Sequence, residues 1–183
     1  MDITLVGWLI ALAVIPPFVI SLISLYPVRR NALRLGLIAD PGGHSTHTKT
    51  TPLGGGIGIW LGIMIPMALG TALVLASERF PWVANMLPPA MESYFDGISF
   101  RLSQLWWLLG AASVLFALGI WDDRRGAPVL LRLGVEFAVA AFVVYFLGFG
   151  FTAFIGALWL TKILSVFWIV AVINSFNMLD NMD

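Results

Sequence analysis

Polar and apolar residues fall along this chain in long blocks, without the short period of a surface helix or strand. Uncharged runs extend from Ile3 to Val28, Thr50 to Ser77, Leu102 to Trp121, Phe137 to Thr161 and Ile163 to Leu179. A helix that crosses a bilayer needs about 20 mainly apolar residues. The pattern therefore predicts an all-α integral membrane protein, a polytopic helical bundle with about five spans near residues 3–26, 54–76, 102–121, 128–148 and 160–178. The spans are expected to pack as a single transmembrane domain over 1–183, with backbone polar groups satisfied inside each helix. One stretch reads two ways. The Gly and β-branched content of Gly148 to Thr161 also suits an external loop or hairpin, in which case the fifth helix begins near Lys162.

Composition supports a lipid solvent. Hydrophobic residues make up 60% of the chain and charged residues 11%, against about 25% charged in an ordinary soluble domain, and the mean hydropathy is +0.94. Only Met1 and Asp2 precede the first run. A secretory signal has a basic segment there and a shorter apolar core, so the first run reads as an uncleaved helix. The absence of cysteine excludes disulfides and thiolate metal sites, and a net charge of +0 offers nothing to a nucleic acid.

Charge sets the expected orientation. Arg29, Arg30, Arg34 and Lys49 lie between the first two runs against Asp40 alone, whereas the next loop mixes Glu78, Arg79, Glu92, Asp96 and Arg101. The positive-inside rule then places the first loop in the cytoplasm and the N-terminus outside. Alternating crossings bring Asp122 to Gly126 and the end of the fifth span to the same cytoplasmic face. Trp106, Trp107, Trp121 and Trp159 lie near span ends, where amphipathic rings anchor in the headgroup layer. Gly54, Gly55, Gly56, Gly58 and Gly62 would let neighbouring helices approach closely.

Three polar clusters share the predicted cytoplasmic face. The first runs from Asp40 through His44, His47, Lys49 and Pro52 to Gly54-Gly55-Gly56. A glycine-rich helix start offers backbone N–H groups to phosphate, and Lys49 adds a mobile positive charge; a plain connector would look similar. The second is Asp122-Asp123-Arg124-Arg125-Gly126. Carboxylates at a membrane edge are costly unless paired or metal-bound. Because consecutive helical residues point about 100° apart, one of the two can face a substrate while its neighbour pairs with an arginine. Magnesium, which takes one or two carboxylates together with substrate phosphates, fits this set, as does a helix-end knot of ion pairs. Arg132 and Glu136 follow, one helical turn apart, and can pair to lower their burial cost. The third cluster places Asn174, Asn177, Asp180 and Asp183 at every third position, a spacing whose neighbours share one helix face. Two amides and two carboxylates suit a sugar diphosphate and its cation; a helix end meeting water would carry similar residues.

Taken together and in this order, the clusters resemble the polyprenyl-phosphate N-acetylhexosamine-1-phosphate transferases, glycosyltransferase family 4. The resemblance rests on His47 and Pro52 followed by Gly55-Gly56, on Asp122-Asp123, and on Asn177-x-x-Asp180-x-x-Asp183. The Pro-Leu-Gly-Gly-Gly and Leu-Asp-Asn-Met-Asp segments are more similar to the undecaprenyl-phosphate GlcNAc-1-phosphate branch than to phospho-MurNAc-pentapeptide translocase. The sequence departs from the family pattern at His44 and Ser45, where basic residues are common, and at Asn181, where glycine is frequent.

The resemblance implies transfer of GlcNAc-1-phosphate from a UDP-N-acetylhexosamine to a polyprenyl phosphate, with release of UMP, at the bacterial cytoplasmic membrane. It implies Mg²⁺, or alternatively Mn²⁺, as cofactor. It assigns Asp122 and Asp123 to catalysis, His47, Lys49, Arg132, Asn174 and Asn177 to substrate binding, and Asp180 and Asp183 to the metal. The family continues past the position of Asp183 with further helices, another cytoplasmic Asp and a His-containing basic loop, so the chain by itself is expected to be inactive. Partners are the nucleotide sugar, the lipid phosphate and the bilayer; oligomeric state, a homodimer included, stays open. Two rival classes also stay open: a transporter or lipid-binding protein, which would place polar residues near the bilayer midplane, and a half-enzyme or inactive remnant.

Overall fold

The computed structural model describes residues 3–39, 51–86, 89–151 and 156–180. The helices are α1 (Ile3–Arg30), α2 (Ala32–Leu35), α3 (Gly55–Arg79), α4 (Pro81–Ala84), α5 (Pro89–Arg125), α6 (Val129–Tyr145) and α7 (Leu158–Asp180). The two-residue strands β1 (Ile38–Ala39) and β2 (Thr51–Pro52) pair antiparallel, with Ile38 opposite Pro52 and Ala39 opposite Thr51. The protein is thus all-α and polytopic. Ile10–Arg30, Gly55–Arg79, Gly97–Arg125 and Leu158–Leu179 are long and apolar enough to cross a membrane, with mean hydropathies of 2.0, 2.1, 1.6 and 1.7. The fourth expected span corresponds to α6, whose 17 residues extend about 25 Å at 1.5 Å each, short of a typical hydrocarbon core. Of the two readings of Gly148 to Thr161, the structure takes the loop: the described residues from 146 to 157 are non-helical and α7 begins at Leu158.

The chain forms two compact units, one of residues 1–31 and 54–106 and the other of 32–53 and 107–183, with α5 passing from the first to the second. In the first unit α1 packs against α3. Pro16, Pro17 and Pro27 lie inside α1, each removing a backbone donor. Small residues on α3 permit the close approach: a Cβ added to Gly62 would lie 2.8 Å from the Pro17 carbonyl oxygen, and one added to Gly58 2.7 Å from Leu25 Cγ. Packing therefore accounts for Gly58 and Gly62. It does not account for Gly55 and Gly56, where an added Cβ meets nothing within 4 Å among the described residues. Gly54 caps α3 in the left-handed region at φ 100°, a conformation open to glycine at little cost. Trp106, expected as an interfacial anchor, donates from its indole nitrogen to Thr71 Oγ1 at 3.2 Å, and the Ser99 hydroxyl donates to the Glu78 carboxylate.

In the second unit α6 packs on α7 through Ala140, Val144, Val166 and Val170, flanked by Leu133, Phe137, Ala141 and Ile169. Phe137 and Phe167 meet edge to face at 5.3 Å. The short ladder is held beside the end of α5: Leu37, fully buried, accepts from the Leu53 amide at 2.9 Å, and Arg124 Nε donates to the Leu35 carbonyl at 3.0 Å. The ladder thereby draws together the two flanks of the 40–50 segment.

Candidate functional site

The site begins where α5 stops. Gly126, at φ 68°, ends the helix in the left-handed conformation, and its amide donates to the Asp122 carbonyl at 2.8 Å, a common helix C-terminal closure. The Asp122 side chain then holds the turn into α6. Its Oδ1 accepts from the Ala127 amide at 2.7 Å, and its Oδ2 accepts from an Arg132 Nη at 3.1 Å. Pro128 precedes α6 as its N-cap. The first turn of α6 thus delivers Arg132 back onto the carboxylate that ends α5.

One helical turn further along α6, Glu136 Oε1 stands 3.9 Å from Arg132 Nε. Glu136 is only 3% exposed, and a buried charge is costly unless several groups satisfy it. Its other oxygen, Oε2, accepts from the Asn174 side-chain amide at 2.5 Å. Asn174 spends its second N–H on the Val170 carbonyl within α7, at 3.0 Å. Asp122, Arg132, Glu136 and Asn174 therefore form one polar string that joins the end of α5, the start of α6 and the last third of α7. Arg132 Nε is buried and has no hydrogen-bond partner among the described residues, where the 3.9 Å charge contact to Glu136 compensates it.

Of the residues expected to form the site, the structure brings Asp122, Arg132 and Asn174 together. All three engage protein groups: Asp122 has the arginine partner anticipated for one member of the pair, and Arg132 and Asn174 face Glu136. Asp123 is exposed, and Asn177 is half-buried one turn after Asn174 on α7. Asp180 is the last residue of α7; its side chain, together with His47, Lys49 and Asp183, lies outside the described residues. Sequence reasoning treated Glu136 only as a charge partner for Arg132 and left it out of the site. The available signal was a carboxylate at the edge of an apolar run, which in a membrane protein marks function by default. Among the described residues no group of three or more His, Cys, Asp or Glu side chains converges to hold a metal. Both oxygens of Asp122 accept from protein donors, and hard carboxylate oxygens are the donor type magnesium takes.

Comparison with known proteins finds similarity over the segment that carries this string. Residues 105–183, which contain all of it, match the family model described as glycosyl transferase family 4. The chain is 26% identical over 184 aligned residues to a decaprenyl-phosphate N-acetylglucosaminephosphotransferase of Mycobacterium tuberculosis, covering 95% of this chain and 41% of that protein. It is 24% identical to a probable undecaprenyl-phosphate N-acetylglucosaminyl 1-phosphate transferase of Bacillus subtilis, covering 93% of this chain and 43% of that protein. A third relative, an undecaprenyl-phosphate alpha-N-acetylglucosaminyl 1-phosphate transferase of Yersinia pestis, is 26% identical over 91% of this chain and 40% of its own length. The chain spans about two fifths of the length of these curated relatives. No solved structure matches it. By the family model over residues 105–183 and by the curated relatives over most of its length, this chain is similar to glycosyl transferase family 4 and to polyprenyl-phosphate N-acetylglucosamine phosphotransferases.

Proposed function

We propose that the protein carrying this chain transfers GlcNAc-1-phosphate from UDP-GlcNAc to a polyprenyl phosphate at the cytoplasmic face of a bacterial inner membrane. The observation that carries this reading is the Asp122–Arg132–Glu136–Asn174 string, which lies wholly inside the family-matched residues and fixes the end of α5 beside α7. An oxygen of the lipid phosphate attacks the β-phosphorus of the nucleotide sugar. The bond from that phosphorus to the bridging oxygen breaks, UMP leaves with the oxygen, and a polyprenyl-diphospho-GlcNAc remains. One phosphoanhydride replaces another, so the step is close to isoenergetic. Catalysis then consists of positioning and of stabilising charge.

A phosphate monoester loses its second proton at about pH 6, so the nucleophile is already largely dianionic near neutrality and requires no strong base. Alignment suits the Asp pair better than proton abstraction. Asp122 holds the α5–α6 turn and Arg132, and Asp123, exposed beside it, is the member of the pair assigned to the polar substrates. Asn177, Asp180 and Asp183 recur at every third position of the sequence, the amide donating to phosphate or sugar oxygens. Magnesium, held by Asp180 and Asp183 with help from Asp123, would supply neutralisation of diphosphate charge. His47 and Lys49 lie in the 40–50 segment, whose flanks are tied beside Arg124, and they contribute cationic contacts to phosphate.

The test is a membrane assay of the protein expressed from its intact reading frame, supplied with UDP-GlcNAc, undecaprenyl phosphate and Mg²⁺. UMP and lipid-linked GlcNAc diphosphate should appear one for one, and Asp123→Asn should lower kcat by about 100-fold or more. Absence of lipid-dependent UMP release from correctly inserted protein would discard this reading.

A further inference from the structure

We infer that Glu136 is a positioning residue, which sets the Asp122–Asp123 end of α5 against the Asn174–Asp180 end of α7 without touching substrate. The inference rests on the transferase reading for its catalytic consequence, but not for its structural one. Glu136 is 3% exposed, and its two oxygens face Arg132 and Asn174. It is the only described side chain that contacts both the Arg132 guanidinium and the α7 amide of Asn174. The other α6–α7 contacts in the core cluster are apolar, and such contacts tolerate sliding and rotation better than directed polar bonds do. The short Glu136–Asn174 hydrogen bond, joined through Arg132 to Asp122 Oδ2, fixes both the register and the facing of the two helix ends.

Charge explains why this position holds a carboxylate. Arg132 faces Asp122 on one side and Glu136 on the other. Without Glu136 the buried Nε would lose the anion that the described residues place beside it, and the guanidinium could turn toward solvent or fold entirely onto Asp122. Either movement releases the turn that carries Asp123. Polar groups surrounding an active centre characteristically act by orienting the residues that do touch substrate.

The test compares wild type, Glu136→Leu and Glu136→Gln in the intact protein, with kcat, KM for UDP-GlcNAc, thermal midpoint, and the spin-label distance between exposed positions Leu130 on α6 and Phe176 on α7. Glu136→Leu should lower kcat about 10- to 100-fold while KM stays within about threefold, the range typical when an orienting partner is lost. Its thermal midpoint should fall, because removing one partner of a buried ion pair leaves the other uncompensated, so kcat is read per folded molecule. The distance distribution should broaden. Glu136→Gln, whose amide oxygen still accepts from Asn174 but which carries no charge for Arg132, should recover the tie to α7 alone and fall between Leu and wild type in both kcat and width of the distribution.

A wild-type kcat and an unbroadened distribution in Glu136→Leu would overturn the inference. So would a kcat loss that merely follows the fall in thermal midpoint and that Gln does not partly recover. Should Glu136→Leu fail to insert, Asn174→Leu cuts the same tie from α7 and must lower kcat and broaden the distribution in its place; normal behaviour there overturns the inference as well. If wild type releases no UMP but Glu136→Leu still broadens the distribution, the transferase reading fails and the positioning role stands.

Discussion

The two ends of the α6–α7 pair each bury a polar side chain, and they satisfy it by different means. At the Gly148 end, Ser165 is 1% exposed. Its hydroxyl donates to the Thr161 carbonyl at 2.7 Å and accepts from the Phe151 amide at 3.1 Å. These partners belong to α7 itself and to the loop that leads into it. At the Asp122 end, Glu136 is about as deeply buried, but its partners come from another turn of α6 and from α7, and through Arg132 from α5. A buried neutral hydroxyl with two hydrogen bonds costs little, whereas a buried carboxylate carries several kcal/mol of desolvation. Closing a helix–loop–helix junction requires only the cheaper device. The costlier one stands where residues on three helix ends must keep a fixed relation, which is where natural sequences depart from the most stable solution.

The largest effect should come from breaking the ionic string at its centre. Arg132→Leu leaves Asp122 without its cation and Glu136 with only Asn174. One-sided removal from a fully buried pair costs about 3–5 kcal/mol, and the side chains of Arg132 and Asp122 are 26% and 27% exposed, so water offsets part of that. A loss of about 2–3 kcal/mol is expected, with UMP release falling further than folded protein does. Thermal unfolding of the detergent-purified protein, with activity normalised to its folded fraction, checks both. Unchanged stability would mean that the string is solvated and that the contrast between the two ends is false.

The sequence exposed the helices better than their limits. Uncharged runs locate α1, α3, α5 and α7 because lipid-exposed helices must be apolar over their whole length. The start of α5 at Pro89 lies well before the expected 102, since hydropathy reports burial in lipid and is blind to a helix that continues with polar residues. The early end of α6 at Tyr145 follows from Gly148 at φ 75°, a turn signal within an apolar run. The β1–β2 ladder has two residues per strand, too few for any period to show. Within the site, Asp122, Arg132 and Glu136 were legible as a local charge group because ten residues and then one helical turn separate them. The bond from Glu136 to Asn174 spans 38 positions, and no local pattern reports which faces of two apolar helices meet.

At the other end the expected effects are smaller and confined to stability. Ser165→Ala removes the acceptor for the Phe151 amide and the hydroxyl that bonds back to Thr161. An unsatisfied buried donor costs about 1–3 kcal/mol. Phe151 is 41% exposed, so water can reach its vicinity, and a loss of about 1 kcal/mol is expected. UMP release per folded molecule should match wild type. A substantial drop in kcat without loss of stability would show that this end also positions the chemistry.

The smallest effect sharpens the contrast most, because its sign depends on one hydroxyl. Gly150 is not in the left-handed region, and a Cβ added there would lie 3.0 Å from Ser165 Oγ but 3.5 Å from Ser165 Cβ and 3.8 Å from Val144 Cγ1. Among the described residues the only tight contact is therefore with the hydroxyl that holds the junction. Gly→Ala at a backbone position that alanine can adopt stabilises by about 0.4–1 kcal/mol, through lost freedom of the unfolded chain. In wild type, displacement of Ser165 Oγ should offset that gain and leave Gly150→Ala neutral or slightly destabilising. In the Ser165→Ala background the obstructing atom is gone, the remaining contacts are ordinary, and the same substitution should stabilise. Neighbouring substitutions that share a partner are expected to be non-additive in this way, and a thermal-midpoint cycle over the four proteins reads the coupling directly. Additive behaviour would show that Ser165 Oγ does not support the 148–151 loop, and the junction would then rest on apolar contacts such as that of Phe151 with Trp168.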